Sequence, residues 1–206
     1  MPDQTVDPFG RIAGYYENLV RKYGHDPRAC DYGRAESQFI KFQVLSEVIP
    51  LANCSLLDAG CGFTDFATFL RSRFSGLKYW GIDLCPAMVN EARRNQPDLE
   101  VRVANISDAA FDRTFDVVTA NGIFYLLGDQ AWTRMQQIIR RMYGLATAAV
   151  AFNSLSTWAE DQEAGEFHAD PLQTVDFCRG LTRRVVLRHD YHPRDFTIYL
   201  YKAAKT

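Results

Sequence analysis

The chain has 206 residues, of which 47% are hydrophobic and 23% are charged, and this composition is typical of one ordinary globular domain. Its formal net charge of −2 provides no overall basic field, which argues against nucleic acid as the main partner. The five cysteines include no C-x-x-C pair, so we predict neither a structural zinc site nor a disulfide framework. Because no signal-peptide pattern and no membrane-spanning apolar run is visible, we expect a cytoplasmic protein.

The predicted elements follow one another in a regular order. Apolar residues at helical spacing predict helices over 11–23 and 36–49, separated by a loop rich in turn formers. Strand-like and helical stretches then alternate, which predicts a parallel sheet with crossover helices. The predicted strands are 55–59, 78–84, 99–106, 115–120 and 147–153, and the predicted helices between and after them are 65–73, 86–95, 129–143 and about 170–179.

The end of the chain departs from this alternation. Two further strands are predicted over 184–191 and 196–202, and little more than the tetrapeptide HPRD joins them. A connection of that length is too short for a crossover helix, so the two strands form an antiparallel hairpin.

The stretch LLDAGCGFTD, residues 56–65, places a glycine-rich turn after the first strand of the sheet. A phosphate-binding P-loop would need a lysine after the second glycine, and none is present. The dinucleotide fingerprint G-x-G-x-x-G would need a third glycine where Asp65 stands, and a carboxylate there repels a pyrophosphate. The turn therefore favours a ligand that approaches the backbone closely but carries no phosphate at that point.

LLDAGCGFTDFATFL followed by YWGIDLCPAMVNEARR resembles the class I S-adenosylmethionine-dependent methyltransferases. Asp58, Gly60, Gly62 and Asp83 match the family's acid, Gly-x-Gly turn and second acid. The resemblance spans roughly residues 40 to 202 and implies an α/β, doubly wound, Rossmann-like fold. Its seven-stranded, mostly parallel sheet ends in a C-terminal antiparallel hairpin. We expect one methyltransferase domain over 1–206, with an N-terminal helical lid (1–50) and a cofactor-binding α/β core (51–206).

The segments YGRAESQFIKF and VVLRHDYHPRDFTIYLYK are also similar to a subgroup of small bacterial methyltransferases whose acceptors are mostly unassigned.

The resemblance implies S-adenosyl-L-methionine as the cofactor and assigns residues to each of its parts. Asp83 would accept hydrogen bonds from the ribose hydroxyls, and Asp58 would orient the turn and interact with the ammonium group. The other implied cofactor contacts are the turn backbone (Gly60, Cys61, Gly62), the adenine site (Leu84, Asn105, Ile106), the end of the fourth strand (Asn121, Gly122) and the lid (Tyr32, Arg34, Gln38).

Two positions depart from the family's pattern. Thr64 replaces a third glycine, which predicts either an altered turn or a hydroxyl that caps the next helix. Asn105 replaces an acid that reaches the adenine amino group, and an amide oxygen can accept the same hydrogen bond. Cys61 is interpreted as a packing residue rather than a nucleophile.

The acceptor side is less well defined by the sequence. His168 is the first candidate for a general base and His189 the second, because a base assists transfer to a hydroxyl or a protonated amine. The candidate acceptor-contacting residues are Tyr125, Asn153 and Trp158. We expect no metal, because one histidine among scattered acids lacks ligand spacing.

The leading hypothesis is methyl transfer to an oxygen or nitrogen of a small molecule by in-line displacement. Local arginine pairs keep an RNA or protein methyltransferase open as an alternative. A non-catalytic S-adenosylmethionine-binding or scaffold protein is a second alternative. An NAD-dependent oxidoreductase, which shares the sheet, is a third, and Asp65 and the terminal hairpin argue against it. The sequence leaves the oligomeric state undetermined.

Overall fold

A computed structural model describes residues 7–31, 35–107 and 113–203. Its seven strands form one sheet in the order β3-β2-β1-β4-β5-β7-β6, in which the first five strands are mutually parallel and β7 is antiparallel to both β5 and β6. This confirms the predicted fold class. The strands are β1 Ser55–Ala59, β2 Lys78–Asp83, β3 Glu100–Val103, β4 Phe115–Ala120, β5 Ala146–Leu155, β6 Val185–Arg188 and β7 Asp195–Tyr201.

In the described ranges, six α-helices accompany the sheet. They are α1 Pro8–Tyr23, α2 Ala35–Ser46, α3 Asp65–Arg71, α4 Pro86–Asn95, α5 Ala131–Leu145 and α6 Pro171–Arg179. Successive residues of a strand point to opposite faces, and Leu56 and Leu57 of β1 show how the two layers arise. Leu56 packs with apolar residues of α2, α3 and α4, whereas Leu57 packs with those of α5 and α6. Helices therefore cover both faces, as expected of a parallel sheet.

The strand order reverses beside β1, which lies between β2 and β4. The chain therefore leaves the carboxyl ends of β1 and β4 toward opposite faces of the sheet, and a crevice opens between these two connections. The turn Gly60–Thr64 and the segment 121–127 form the two sides of this crevice.

The first helix lies over this edge of the sheet. Its apolar face packs with Ala29, Phe63, Cys85 and Met88 in a small core of its own. His25, just after α1, adds a polar attachment, with Nε2 lying 3.0 Å from Oδ1 of Asp65. The N-terminal segment is thus fastened to the turn that follows β1.

Two predicted strands are shorter in the structure than the sequence indicated. Strand β3 ends at Val103, and Asn105 then accepts a hydrogen bond from the backbone N–H of Ser107 at 2.9 Å, which turns the chain out of the sheet. Strand β6 ends at Arg188, because the next residue, His189, packs its ring against Trp158 and Phe196 instead of continuing the ladder. Within the described ranges, no helix is long and apolar enough to cross a membrane.

Candidate active site

The turn after β1 is held in a tight, glycine-dependent conformation. The backbone N–H groups of Gly60 and Cys61 both donate to the carbonyl oxygen of Ile82, at 2.8 and 3.0 Å. Gly60 has φ +78°, and a Cβ atom built on it would lie 2.3 Å from Cγ2 of Ile123. Gly62 also has a positive φ, of +51°. The positive φ angle would therefore strain any residue with a side chain at Gly60 or Gly62, and a side chain at Gly60 would also clash with Ile123.

Asp83, the last residue of β2, holds this turn through its carboxylate. One oxygen accepts from the N–H of Gly62 at 2.9 Å, and the other accepts from the N–H of Cys85 at 2.8 Å. Burial raises the pKa of Asp83, and the backbone N–H donors partly oppose that rise. Each carboxylate oxygen retains a further lone pair, so the group can also accept hydrogen bonds from a ligand in the crevice.

Asp58 lies deeper, at the end of β1, and only 2% of it is exposed. Its carboxylate accepts from the hydroxyl groups of Tyr79 at 2.7 Å and Thr119 at 3.0 Å. Burial raises the pKa of Asp58 to about 6, although the two hydroxyl donors lower it. A cationic group that reached this carboxylate would meet a buried anion in a weakly screened environment.

Thr64 occupies the third-glycine position by adopting the glycine-like conformation itself, with φ +66°. Its hydroxyl makes no capping bond to helix α3, so the predicted cap is wrong. Instead, the hydroxyl accepts a hydrogen bond from the Gln96 side-chain amide at 2.8 Å. This tertiary contact stabilises a left-handed conformation that threonine rarely adopts.

The crevice widens into a cavity of about 700 Å³. Its walls include the turn after β1, Asp58, Asp83, Leu84, Asn105, Ile106, Asn121 and Gly122, together with Gln38 of α2. The structure thus brings the cofactor-contacting residues predicted from the sequence to one cavity. The exceptions are Tyr32 and Arg34, which lie outside the described residues.

Asn153 supports the backbone beside the cavity but does not line the cavity itself. It is fully buried, and its Oδ1 accepts from the N–H of Gly122 at 2.7 Å while its Nδ2 donates to Oδ1 of Asn121 at 2.6 Å. The side chain of β5 therefore fixes the backbone at the end of β4. It is not among the residues that face the cavity.

Tyr15 and Tyr16 of α1, together with Tyr125 and the carboxylate of Asp31, form one part of the cavity wall. The hydroxyls of Tyr15 and Tyr125 donate to Asp31, at 2.9 and 2.7 Å, and the hydroxyls of Tyr16 and Tyr125 lie 2.9 Å apart. Burial raises the pKa of Tyr15 to about 12 and raises the pKa values of Tyr16 and Tyr125 further. All three groups are therefore neutral hydrogen-bonding groups at neutral pH.

The two histidines proposed from the sequence as bases do not face the cavity. His189 stacks on Trp158, with 5.0 Å between the ring centroids, and its Nε2 lies 2.8 Å from the hydroxyl of Ser156. His168 is buried, with its Nε2 3.6 Å from a carboxylate oxygen of Glu166. Trp158 is half exposed and is likewise absent from the cavity wall, so the structure gives these three predictions no support.

The structure instead places Ser37, Lys41, His192 and Asp195 on the cavity wall, and sequence reasoning missed all four. Nζ of Lys41 and Nδ1 of His192 lie 2.9 and 2.8 Å from the same oxygen of Asp195. One sequence signal was available: Lys41 lies among apolar residues in FIKFQVL, and a buried lysine requires a partner. The partner itself could not be read from the sequence, because it lies more than 150 positions away.

The cavity wall carries an excess of acidic groups. Among the residues that the structure describes, its cationic side chains are Lys41 and Arg194, with His192 as a third titratable base, and its acids are Asp31, Asp58, Asp65, Asp83, Glu163, Glu166 and Asp195. Over the described part of the chain, no cluster of three or more His, Cys, Asp or Glu side chains is arranged to hold a metal ion.

Comparisons with known proteins agree with this architecture. A family model described as a methyltransferase domain matches residues 56–144, which run from β1 to the end of α5. A Mycobacterium tuberculosis protein assigned as a methyltransferase is 28% identical over 157 residues, a match that covers 73% of this chain and 94% of that protein. These matches support the assignment of the chain as a class I S-adenosylmethionine-dependent methyltransferase.

Two further comparisons mark the limits of this assignment. The trans-aconitate 2-methyltransferase of Escherichia coli O139:H28 is 33% identical over 82 residues, which cover 39% of this chain and 32% of that enzyme. The Synechocystis magnesium protoporphyrin IX methyltransferase, crystallised with S-adenosylmethionine, superimposes with a TM-score of 0.70 at 12% identity, over 98% of this chain and 100% of that one. At that identity the structural likeness shows a shared fold, and neither comparison determines the acceptor of this methyltransferase.

Proposed function

We propose that this methyltransferase transfers the methyl group of S-adenosylmethionine to an oxygen or nitrogen atom of a small molecule. The observation that carries the proposal is one continuous cavity that runs from the turn held by Asp83 to the ends of β4 and β5 and the start of β7. When bound, S-adenosylmethionine supplies an electrophilic methyl group. The protein supplies a fixed site in which this group and an acceptor are held in line.

The residues at the cofactor end fit this ligand. A Cβ atom at Gly60 would fill the space against Ile123, so the glycine leaves the backbone accessible to a ligand. Asp83 has the remaining lone pairs to accept from the two ribose hydroxyls, and Asp58 is an anion suited to an ammonium group. The apolar side chains of Leu84 and Ile106 line the cavity near Asp83 and can enclose the adenine ring.

Asn105 and Gln38 complete the proposed cofactor site. Asn105 lines the cavity, and its oxygen already accepts from Ser107, which leaves one lone pair for the adenine amino group. Asn121 and Gly122 present the end of β4 to the methionine part of the cofactor. Tyr32 and Arg34 remain predictions from the sequence for the carboxylate of the cofactor.

The dimensions of the cavity favour a small acceptor. Small-molecule sites commonly have volumes of about 300–1,000 Å³. The 700 Å³ here must hold cofactor and acceptor together, beneath helices α1 and α2. We therefore propose that residues 1–50 act as a lid on a core formed by 51–206, in one domain.

The charge of the cavity weighs against an RNA methyltransferase. Of the residues placed by the structure, seven acidic side chains line it, against Lys41, Arg194 and His192, and a phosphate backbone would be repelled there. The arginine pairs noted in the sequence lie elsewhere. Arg71 pairs with Asp98 and Arg94 pairs with Glu91, both on the outer surfaces of helices.

A transfer assay tests the proposal. Purified protein is incubated with methyl-tritiated S-adenosylmethionine and separate acceptors: catechol, benzylamine, trans-aconitate, a deproteinised bacterial extract, bulk tRNA and bulk protein. Tritium in a small-molecule product, absent with the Asp83→Ala variant, is the expected result. Label only in RNA or protein would favour that alternative, and cofactor binding without any labelled product would favour a non-catalytic binding protein.

A further inference from the structure

A buried group of charged residues lies at the end of the cavity away from Asp83. It consists of Lys41, His192 and Asp195, and the exposed fractions of their side chains are 9%, 17% and 3%. The Asp195 oxygen that His192 approaches at 2.8 Å is also 2.9 Å from Nζ of Lys41. We name this group the Asp195 cluster.

The strand register places the cluster on the acceptor side of the cavity. Leu155, at the end of β5, pairs with Asp195, at the start of the antiparallel strand β7. The start of β7 therefore lies at the same edge of the sheet as the end of β4, where the segment 121–127 lines the cavity. Ser154, also on the wall, has a buried hydroxyl for which the described residues provide no hydrogen-bond partner.

The imidazole of His192 has two possible arrangements of its proton. Nδ1 lies 2.8 Å from the Asp195 carboxylate and 3.2 Å from the backbone N–H of Arg194, and Nε2 lies 3.0 Å from the Ser37 hydroxyl. The backbone N–H of Arg194 is aligned to donate to Nδ1. A carboxylate oxygen 2.8 Å from a bare nitrogen lone pair would nevertheless be repelled, whereas a proton on that nitrogen makes the contact attractive and charge-assisted. This comparison favours a proton on Nδ1, which leaves the lone pair of Nε2 directed toward Ser37 at the cavity wall.

Asp195 is suited to hold the Nδ1 proton because it is ionised. Burial alone would raise its pKa, but the contacts with His192 and Lys41 outweigh burial and keep the pKa below its ordinary value. Removing either partner would leave a buried carboxylate with less compensation.

We infer that His192 is the general base of the methyl transfer and that the acceptor is a hydroxyl or a protonated amine, not a carboxylate. The inference rests on the proposed function and deepens it. A carboxylate acceptor is already ionised at neutral pH and needs no base, whereas a hydroxyl or an ammonium must lose a proton. The acidic wall formed by Asp31, Glu163 and Glu166 also repels a carboxylate acceptor.

The transfer step is balanced by these groups. The acceptor replaces the Ser37 hydroxyl at Nε2 of His192. A hydroxyl can lose its proton as its oxygen attacks, whereas an ammonium must first give up its proton to expose a lone pair. As the oxygen or nitrogen then bonds to the methyl carbon, the carbon–sulfur bond breaks and its electron pair stays on sulfur. The acceptor proton passes to Nε2, and the imidazolium, stabilised by Asp195, later releases that proton to water.

The other groups around His192 are already engaged. Arg194 pairs with Glu166 at 2.7 Å and with Glu163 at 3.4 Å, and the Tyr191 hydroxyl lies 2.8 Å from that of Thr197. On the α2 side, Ser37 and Lys41 face the cluster. Nε2 of His192 is therefore the position in this cluster that can take up a proton without breaking an ion pair.

Nitrogen-15 NMR of the labelled full-length protein at pH 8 tests the proton position without any acceptor. We expect His192, assigned with the His192→Gln variant, to carry a proton on Nδ1 and a lone pair on Nε2. Asp195→Asn should move the proton toward Nε2. Asp190→Asn, a matched change at an exposed carboxylate that pairs with Arg188, should leave it unchanged. A proton on Nε2 in the wild type would overturn the inference.

Kinetics provide the second test, with the acceptor that the transfer assay yields. His192→Gln should lower kcat by about 100-fold or more, the lower end of what a general base contributes. The affinity for S-adenosylhomocysteine should stay within about threefold, because His192 is placed at the acceptor end. A kcat of His192→Gln within about threefold of the wild-type value would overturn the inference, and so would a wild-type enzyme that methylates only trans-aconitate among the acceptors. Wild-type protein that does not bind the cofactor would instead contradict the proposed function.

Discussion

The carboxylate of Asp83 accepts a hydrogen bond from the backbone N–H of Gly62 at 2.9 Å, which connects the end of β2 to the turn after β1. The two residues are 21 positions apart, and parallel pairing of β1 with β2 brings them together. The same carboxylate faces the cavity, so one side chain both shapes the turn and is available to a ligand. This double use explains why an acid at the end of β2 accompanies the glycine turn.

We predict that Gly60→Ala destabilises the protein by about 2 kcal/mol or more, because a positive φ is strained for alanine and the new Cβ meets Ile123. The atom in the way is a side-chain methyl. Adding Ile123→Ala should therefore recover part of the loss, with a coupling free energy of about 1–2 kcal/mol.

Urea unfolding of the four proteins in this double-mutant cycle measures the coupling. Gly144→Ala serves as the control, because a Cβ there meets nothing within 4 Å in helix α5 and should stabilise the protein by up to about 1 kcal/mol. Strictly additive effects of Gly60→Ala and Ile123→Ala would contradict the predicted clash.

We predict that Asp58 makes stability fall with rising pH. Burial raises its folded pKa from 3.8 to about 6, so the folded state binds the proton more tightly than the unfolded state. The resulting stabilisation is complete below the unfolded pKa and is lost as the pH rises through about 6. Because a tenfold difference in proton affinity corresponds to about 1.36 kcal/mol, the loss amounts to about 3 kcal/mol.

The variant Asp58→Asn isolates this effect, because an amide does not titrate. Its free energy of unfolding, measured in urea at about pH 4 and about pH 7, should improve relative to wild type by about 2 kcal/mol over that interval, because pH 4 already lies just above the unfolded pKa of 3.8. If wild type and variant had parallel pH profiles, Asp58 would not titrate in this range.

We predict that Lys41→Met destabilises the protein by about 3 kcal/mol, because it leaves the Asp195 carboxylate buried with only His192 beside it. Lys78→Met is the matched control, since Lys78 is exposed at the start of β2 and its replacement should change stability by less than about 0.5 kcal/mol. Equal effects of the two substitutions, measured by urea unfolding, would show that the buried ion pair does not contribute.

The sheet and the cofactor end could be predicted because their signals are local. Alternating strands and helices determine a doubly wound sheet, and the short HPRD link forces an antiparallel end. Asp58, Gly60 and Asp83 each lie at or just after the end of a predicted strand at the same edge, so their convergence follows from topology. The predicted ends of β3 and β6 were less accurate, because the side chains of Asn105 and His189 make contacts that accompany a turn of the backbone away from the neighbouring strand.

The acceptor side was not predictable in the same way. The Asp195 cluster joins helix α2 to the β6–β7 connection, and no sequence period links positions that far apart. His189 was chosen as the second candidate base because it lies near the end of the predicted sixth strand, yet stacking on Trp158 holds its ring away from the cavity. Thr64 shows the same limit, because its left-handed conformation depends on a contact with Gln96 from the end of α4.

Calorimetric titration of S-adenosylhomocysteine tests the central claim most directly, with wild type, Asp83→Ala and Asp116→Ala compared. Asp116 is the matched control, because its carboxylate also accepts a backbone N–H, that of Ser55 at 2.8 Å, but at the opposite end of the sheet. We predict micromolar binding by wild type and Asp116→Ala, and a loss of at least about 100-fold in Asp83→Ala. Folded wild-type protein that does not bind, or Asp83→Ala that binds like wild type, would contradict the proposed cofactor site.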